Sequence, residues 1–315
     1  MVIVTLVPLL LPAPEGKFTS QQLSDKDSYF ININDVNIHY KIYGKGESYF
    51  ILLHGTLMTS YTWNEIIAPL AEIGTVIAYD RPAFGLTSRP MPGEWGNTSP
   101  YGYEYQVEML RNLMDVLNIK QAVLIGSSMG GAISAITAQK YPQRVKALVL
   151  DDPVMSRHAV PAWVRLLAAT PQMRKLGPLF LNSQVSSFAK DLYQLSWHDP
   201  SRIKQEYLDE YFKILDMKDF DRGLWELIVA AKPFEELVKP EEIQVPTLVI
   251  AGDDDRIAGI KKIEDGTKDI TELAKKITGA RFVIIPECGH LPHEERPEQF
   301  IQAVIGFVSE LPSAK

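Results

Sequence analysis

Cysteine is nearly absent: Cys288 stands alone among 315 residues. A single thiol excludes an intrachain disulfide and fits a reducing compartment. Basic clusters are missing as well. The 32 Lys and Arg against 39 Asp and Glu leave a net charge of -7, and no long run of cations occurs. That argues against a nucleic-acid partner and for a neutral or small substrate. No stretch is apolar for long enough to cross a bilayer. The nearest approach is residues 1–11, interrupted by Pro8, with no Lys or Arg before Lys17. It is too short for a span and lacks the basic start of a secretory signal. Three readings of this arm stay open: the remnant of a longer anchor, a segment lying peripherally on a membrane, or an arm packed on its own protein or on a dimer partner. The expected location is accordingly cytoplasmic, with a membrane-associated or exported protein as the alternative, and the expected state is monomer or homodimer. Internal repeats and low-complexity tracts are also absent.

What is present is ordinary globular composition, 46% hydrophobic and 23% charged. The length allows one elaborated domain or two. Residues 1–28 read as the apolar arm followed by a Pro-rich, then polar linker. Alternating strands at 29–33 and 36–43 flank Asn34-Asp35 and predict a hairpin. Strands at 49–53, 75–79, 123–126 and 145–150 then alternate with helical spacing around residues 63–71, 103–117 and 129–140. This order implies a mostly parallel sheet with helices on both faces. The alternation stops after Pro153. Residues 154–240 carry amphipathic, helix-like segments rich in Leu, Phe, Trp and Tyr, with no convincing strand. A strand at 245–251, a helix at 268–278, a strand at 281–285 and a helix at 297–310 resume the pattern. The expected organisation is therefore a core at 29–153 and 241–315 with a helical cap inserted at 154–240.

The sharpest local signal is Gly126-Ser127-Ser128-Met129-Gly130-Gly131, between an apolar strand and a small-residue helix. A strand turning sharply into a helix strains its central residue and leaves no room for side chains beside it. Such a turn lifts the Ser128 hydroxyl above the sheet edge. It also presents the Met129 amide at a helix start, where N–H groups lack intrahelical partners.

A serine nucleophile needs a base, and the base an orienting carboxylate. His290 follows the last strand through Pro286-Glu287-Cys288-Gly289, at the sheet edge where Ser128 emerges and where open α/β sheets bind ligands. It is the expected base, with His293 as fallback; His293 is otherwise read as anchoring the next helix with Glu294 and Glu295. His54 is read as bracing its own turn. Of Asp253-Asp254-Asp255, Asp255 best matches a position facing His290, and Asp151 and Asp152 are the rivals. Charge developing on a carbonyl oxygen needs donors in place. Met129 N–H supplies one; Thr56 N–H, in the loop after the 49–53 strand, is the expected second, with Leu57 behind it.

With these residues in view the chain resembles the α/β-hydrolase-fold serine hydrolases, in the capped branch of esterases, lipases and carbon–carbon bond hydrolases. The resemblance runs from about residue 29 to 311. It rests on His54-Gly55, Asp80-Arg81-Pro82-Ala83-Phe84-Gly85, the Ser128 turn, Gly252-Asp253-Asp254-Asp255-Arg256 and Cys288-Gly289-His290. It implies that Asp80 and Arg81 brace a loop rather than react. Ala83 departs from the family, which commonly has glycine there. A serine at 128 disfavours the epoxide hydrolases and haloalkane dehalogenases of this fold, which use aspartate. His54-Gly55-Thr56-Leu57-Met58 is not the His-Gly-Gly-Pro-Gly loop of proline iminopeptidases. Leu291 stands where carbon–carbon hydrolases often have tryptophan. The resulting expectation is hydrolysis of small to medium hydrophobic carboxylic esters through an acyl-enzyme, with no metal or organic cofactor and no nucleic acid. The pocket is expected to draw on Leu57, Trp63, Phe84, Leu291 and the aromatic cap. The alternatives are a carbon–carbon hydrolase of ring-cleavage products on the same triad and a non-enzymatic receptor.

Overall fold

The computed structural model describes residues 16–155, 160–232, 238–257 and 266–311. The apolar arm at 1–11 and His158 lie outside them. An eight-stranded sheet organises the rest, in the order β1-β2-β4-β3-β5-β6-β7-β8. β1 (Tyr29–Ile33) and β2 (Val36–Tyr43) form the expected hairpin, with Asn34 and Asp35 at φ 49° and 69° in its turn. That is the geometry a two-residue hairpin loop requires. β2 pairs antiparallel with β4 (Thr75–Tyr79). From there the sheet is parallel, through β3 (Tyr49–Leu53), β5 (Ala122–Ser127), β6 (Val145–Asp151), β7 (Thr247–Gly252) and β8 (Arg281–Ile285).

Because side chains alternate along a strand, each central strand feeds two cores. Ile51, Leu53, Leu124 and Leu150 face one, shared with α3 (Tyr103–Val116) and α4 (Met129–Lys140). Phe50, Leu52, Val123 and Ile125 face the other, shared with α2 (Asn64–Ala71) and α11 (Pro297–Ser309). Burial on both faces explains why these strands read as unbroken apolar runs. α9 (Gly266–Lys276) and the short α10 (Pro292–Glu295) also pack on the sheet, while the short α1 (Ser20–Leu23) precedes the hairpin with Leu23 against the cluster of Phe84.

Between β6 and β7 the described residues form helices and no strand. They are α5 (Ala162–Ala168), α6 (Pro171–Leu195), α7 (Gln205–Phe212) and α8 (Phe220–Ala230). Met217 makes a parallel bridge with Phe18, and the Lys17 N–H donates to the Asp216 carbonyl at 2.6 Å. The segment read as a linker is thus stitched to the inserted helices. Two apolar clusters join those helices to the core loops. Phe84, Leu86 and Tyr101 pack with Val185, Phe220 and Leu224, and Met58 and Leu291 pack with Tyr193, Trp197, Tyr207 and Tyr211.

Candidate active site

The site residues hang on the C-terminal ends of four adjacent strands. Ser128 follows β5 at φ 51°, ψ -118°, in the left-handed half of conformational space. For a residue with a Cβ, such a sparsely populated conformation costs on the order of 1–3 kcal/mol. Close packing holds it there. A Cβ on Gly130 would lie 2.0 Å from the Leu53 carbonyl oxygen, and one on Gly126 would lie 2.5 Å from that of Gly130. The loop after β6 fixes the turn from the other side: the Ser128 N–H donates to the Asp151 carbonyl at 2.9 Å, and the Ser128 carbonyl accepts from Val154 at 3.2 Å. α4 begins at Met129, and the first amide to bond back is Gly131, to the Ser128 carbonyl. The Met129 amide is therefore one of the donors without an intrahelical acceptor.

His290 lies in the loop after β8 and is 4% exposed. Its Nδ1 is 2.9 Å from Asp255 Oδ2, so the ring donates from Nδ1 and keeps the lone pair on Nε2. Nε2 is buried and makes no hydrogen bond; the Ser128 hydroxyl is not bonded to it here. Hydrogen bonds of this kind commonly tighten only with substrate in place. Burial alone would pull the imidazole pKa down, but the charge and hydrogen bond of Asp255, aided by Asp151, hold it above the ordinary histidine value.

The acid loop and the histidine loop are laced together. Asp254 N–H donates to the Cys288 carbonyl at 2.9 Å, and Cys288 N–H to Asp253 Oδ1 at 3.2 Å. The second oxygen of Asp255 accepts from the Ile257 amide at 2.8 Å. Of the three consecutive aspartates, Asp255 is thus the one that meets His290. Asp254 instead pairs with His198 at 2.8 Å.

The rivals have other partners. Asp151 binds His293 Nδ1 at 2.5 Å, and His293 Nε2 lies 2.7 Å from the Thr62 hydroxyl. Both imidazole nitrogens of the fallback base are therefore occupied. Asp152 sits at φ 38° with its Oδ2 accepting from the Gly252 amide at 2.9 Å. Its carboxyl is pushed well above the usual range, first by burial and then by the negative charge of Asp255 and Asp151. Asp152, Asp255 and His290 bring their candidate donor atoms within 4.8 Å of one another, the one such grouping among the described residues. The His290–Asp255 bond accounts for two of the three, and the burial and neighbouring charge that raise Asp152 favour its protonated form beside Asp255.

His54 braces its turn as expected. Nδ1 lies 2.8 Å from the Gly55 carbonyl and Nε2 accepts from Arg81 N–H at 3.0 Å. Burial and then the Arg81 charge take its pKa down to about 3, so it stays neutral. Asp80 accepts from the Ser60 amide at 2.7 Å and the Leu86 amide at 2.8 Å, and pairs with His39 at 2.7 Å. Ala83 occupies φ 78°, a conformation glycine adopts without strain. The loop after β3 abuts the Ser128 turn, with the Thr56 hydroxyl 3.6 Å from Met129 Sδ and a Cβ on Gly55 falling 3.2 Å from Ser128 Cβ.

Of the expected pocket residues, Leu57 packs against the cluster of Phe84, and Leu291 lies in the one with Met58 and the tyrosines of α6 and α7. Trp63 sits apart from them, fully buried with Phe50 and Phe300, its ring centroid 4.3 Å from that of His293. The residues that sequence reasoning missed are at the end of α6. The Ser196 carbonyl accepts from His290 N–H at 2.7 Å. Glu295 ties the His198, Asp199 and Gly289 amides together at 3.0, 3.0 and 2.8 Å. Glycine at 289 was the available signal, since a Cβ there would lie 2.3 Å from the Ser196 carbonyl oxygen.

Comparison with known proteins agrees with this architecture. The chain is 28% identical to 2-hydroxy-6-oxo-6-phenylhexa-2,4-dienoate hydrolase of Comamonas testosteroni, with 92% of this chain and 95% of that one covered. A meta-cleavage product hydrolase from Pseudomonas fluorescens IP01 superposes with a TM-score of 0.68 at 22% identity, covering 90% of this chain and 98% of the other. A thermophilic esterase from Thermogutta terrifontis does so with a TM-score of 0.66 at 22% identity, covering 90% and 100%. The alpha/beta hydrolase fold family matches residues 49–297. The chain belongs to the alpha/beta hydrolase fold family.

Proposed function

We propose that this hydrolase cleaves carboxylic esters of small to medium hydrophobic substrates, with Ser128 as nucleophile, His290 as base and Asp255 as its orienting acid. The observation that carries the reading is the 2.9 Å bond from His290 Nδ1 to Asp255, which leaves a lone pair on a buried, unbonded Nε2. Nε2 takes the Ser128 proton as the hydroxyl oxygen attacks the acyl carbon. The Met129 and Thr56 amides receive the charge that moves onto the carbonyl oxygen. The imidazolium, stabilised by Asp255, then protonates the leaving alcohol. Water, activated by the same imidazole, releases the acid and restores the serine. The helices inserted between β6 and β7 act as a cap, and Leu57, Phe84 and Leu291 supply apolar surface for the acyl or aryl group.

A panel of p-nitrophenyl esters of increasing chain length, with fluorophosphonate labelling, tests this. Wild type is expected to turn over short and medium esters and to label. Ser128→Ala is expected to remain folded and to lose both activities. An unlabelled wild type would point to a receptor instead.

The Comamonas testosteroni relative supports a second reading, carbon–carbon bond hydrolysis of a ring-cleavage product by the same residues. Turnover of a vinylogous diketone acid with negligible turnover of aryl esters would favour it.

A further inference from the structure

More than half of the large apolar side chains exposed among the described residues lie between residues 163 and 195. They belong to two consecutive helices that pack on α8 and on each other. On α5, Trp163, Leu166 and Leu167 are 68%, 73% and 51% exposed. Spaced at i, i+3 and i+4, they share one helix face. On α6, Leu176, Leu179 and Phe180 are 36%, 36% and 69% exposed, again at i, i+3 and i+4 on one face. Soluble surfaces scatter such residues singly; gathered on neighbouring helices they mark a contact surface.

Charge says what kind of contact. In a chain of net charge -7, residues 160–195 carry Arg165, Arg174, Lys175 and Lys190 against Asp191 alone. Arg174 is paired with Glu226 at 2.7 Å. Lys190 is exposed and falls eleven residues after Leu179, three helical turns along the same outward face. Apolar side chains interleaved with cations, a tryptophan among them, match the boundary of an anionic bilayer. In a two-fold dimer the same patch would face itself, cation against cation, which matches less well. No helix among the described residues is long and apolar enough to cross a membrane, so the contact is with the membrane surface.

We propose that the outward faces of α5 and α6 dock this protein on anionic lipid bilayers. The inference does not depend on the ester chemistry, because binding is read without turnover. The experiment is co-sedimentation of the full chain with vesicles of phosphatidylcholine alone and of phosphatidylcholine mixed with phosphatidylglycerol. Wild type is expected to bind the mixed vesicles more tightly, with affinity falling as salt rises. Trp163→Ser combined with Leu166→Ser should weaken binding to both compositions. Lys175→Glu combined with Lys190→Glu should lower affinity for the mixed vesicles by more than about tenfold, at roughly fivefold per cation lost. Far-UV circular dichroism and thermal midpoints check that both variants fold. Wild type that ignores both vesicles, or variants that bind as wild type does, would overturn the proposal. So would surface variants that turn an oligomer into a monomer with vesicle binding unchanged, since the occupant would then be a second copy.

Discussion

At the scale of single residues, two opposed forces act on His290. Burial destabilises its cation, and Asp255 and Asp151 stabilise it more. A base must be neutral to accept the serine proton, so activity should rise with pH along a limb set by this imidazole. Because its pKa lies above the ordinary value of about 6.5, the limb is expected above that pH. Asp255→Asn takes away the charge and leaves the burial, so the limb should move to lower pH. The rate should also fall, by on the order of 10⁴-fold, since the amide no longer selects the right tautomer. Profiles of kcat/KM against pH for both proteins check this. A limb that stays in place in the variant would mean that another group supplies the compensating charge. The His290–Asp255 pair was legible in the sequence, because each residue sits in a short loop ending a recognisable strand. The raised pKa of Asp152 was not. Asp151 ends β6 and Asp152 follows it, and only the fold turns one toward His293 and the other toward Asp255.

Among elements, the histidine loop is placed by its neighbours as much as by its own strand. The end of α6 touches it through the Ser196 carbonyl, at a separation that admits no side chain on residue 289. Gly289→Ala is expected to push the loop and α6 apart and to move the imidazole with the loop. A displacement near 1 Å can lower a rate by about 10²-fold. The measurements are kcat and the rate of fluorophosphonate labelling, alongside the thermal midpoint. Wild-type labelling in a folded variant would show that the contact does not position His290. This dependence was hidden because residues 196 and 289 lie far apart in sequence. Periodicity finds a strand from its own residues, as for β1, β3, β4 and β8, whose expected bounds match those observed. It cannot find a bridge such as Phe18 to Met217, which depends on two segments meeting.

For the whole molecule, buried carboxyls set how stability responds to pH. Asp80 is held well below the usual range because His39 and its other partners outweigh its burial. Its contribution is present near neutrality and is lost as pH falls through its folded pKa. Asp152 and Glu294 run the other way, raised chiefly by burial. In the unfolded chain they ionise at ordinary carboxylate values, while the folded protein keeps its protons. Above those values the unfolded state binds fewer protons, so their contribution declines as pH rises, until each folded pKa is passed. Asp152→Asn isolates one of them. The amide carbonyl can still accept from Gly252, and its NH₂ can donate to Asp255 as a protonated carboxyl would, but it never ionises. Urea unfolding across pH 4 to 9 should give the variant the shallower decline. The difference should grow in its favour by about 1.4 kcal/mol per pH unit until Asp152 ionises in the folded wild type. Parallel curves for the two proteins would mean that Asp152 is charged beside Asp255 in the fold, and that something other than a proton keeps the pair together.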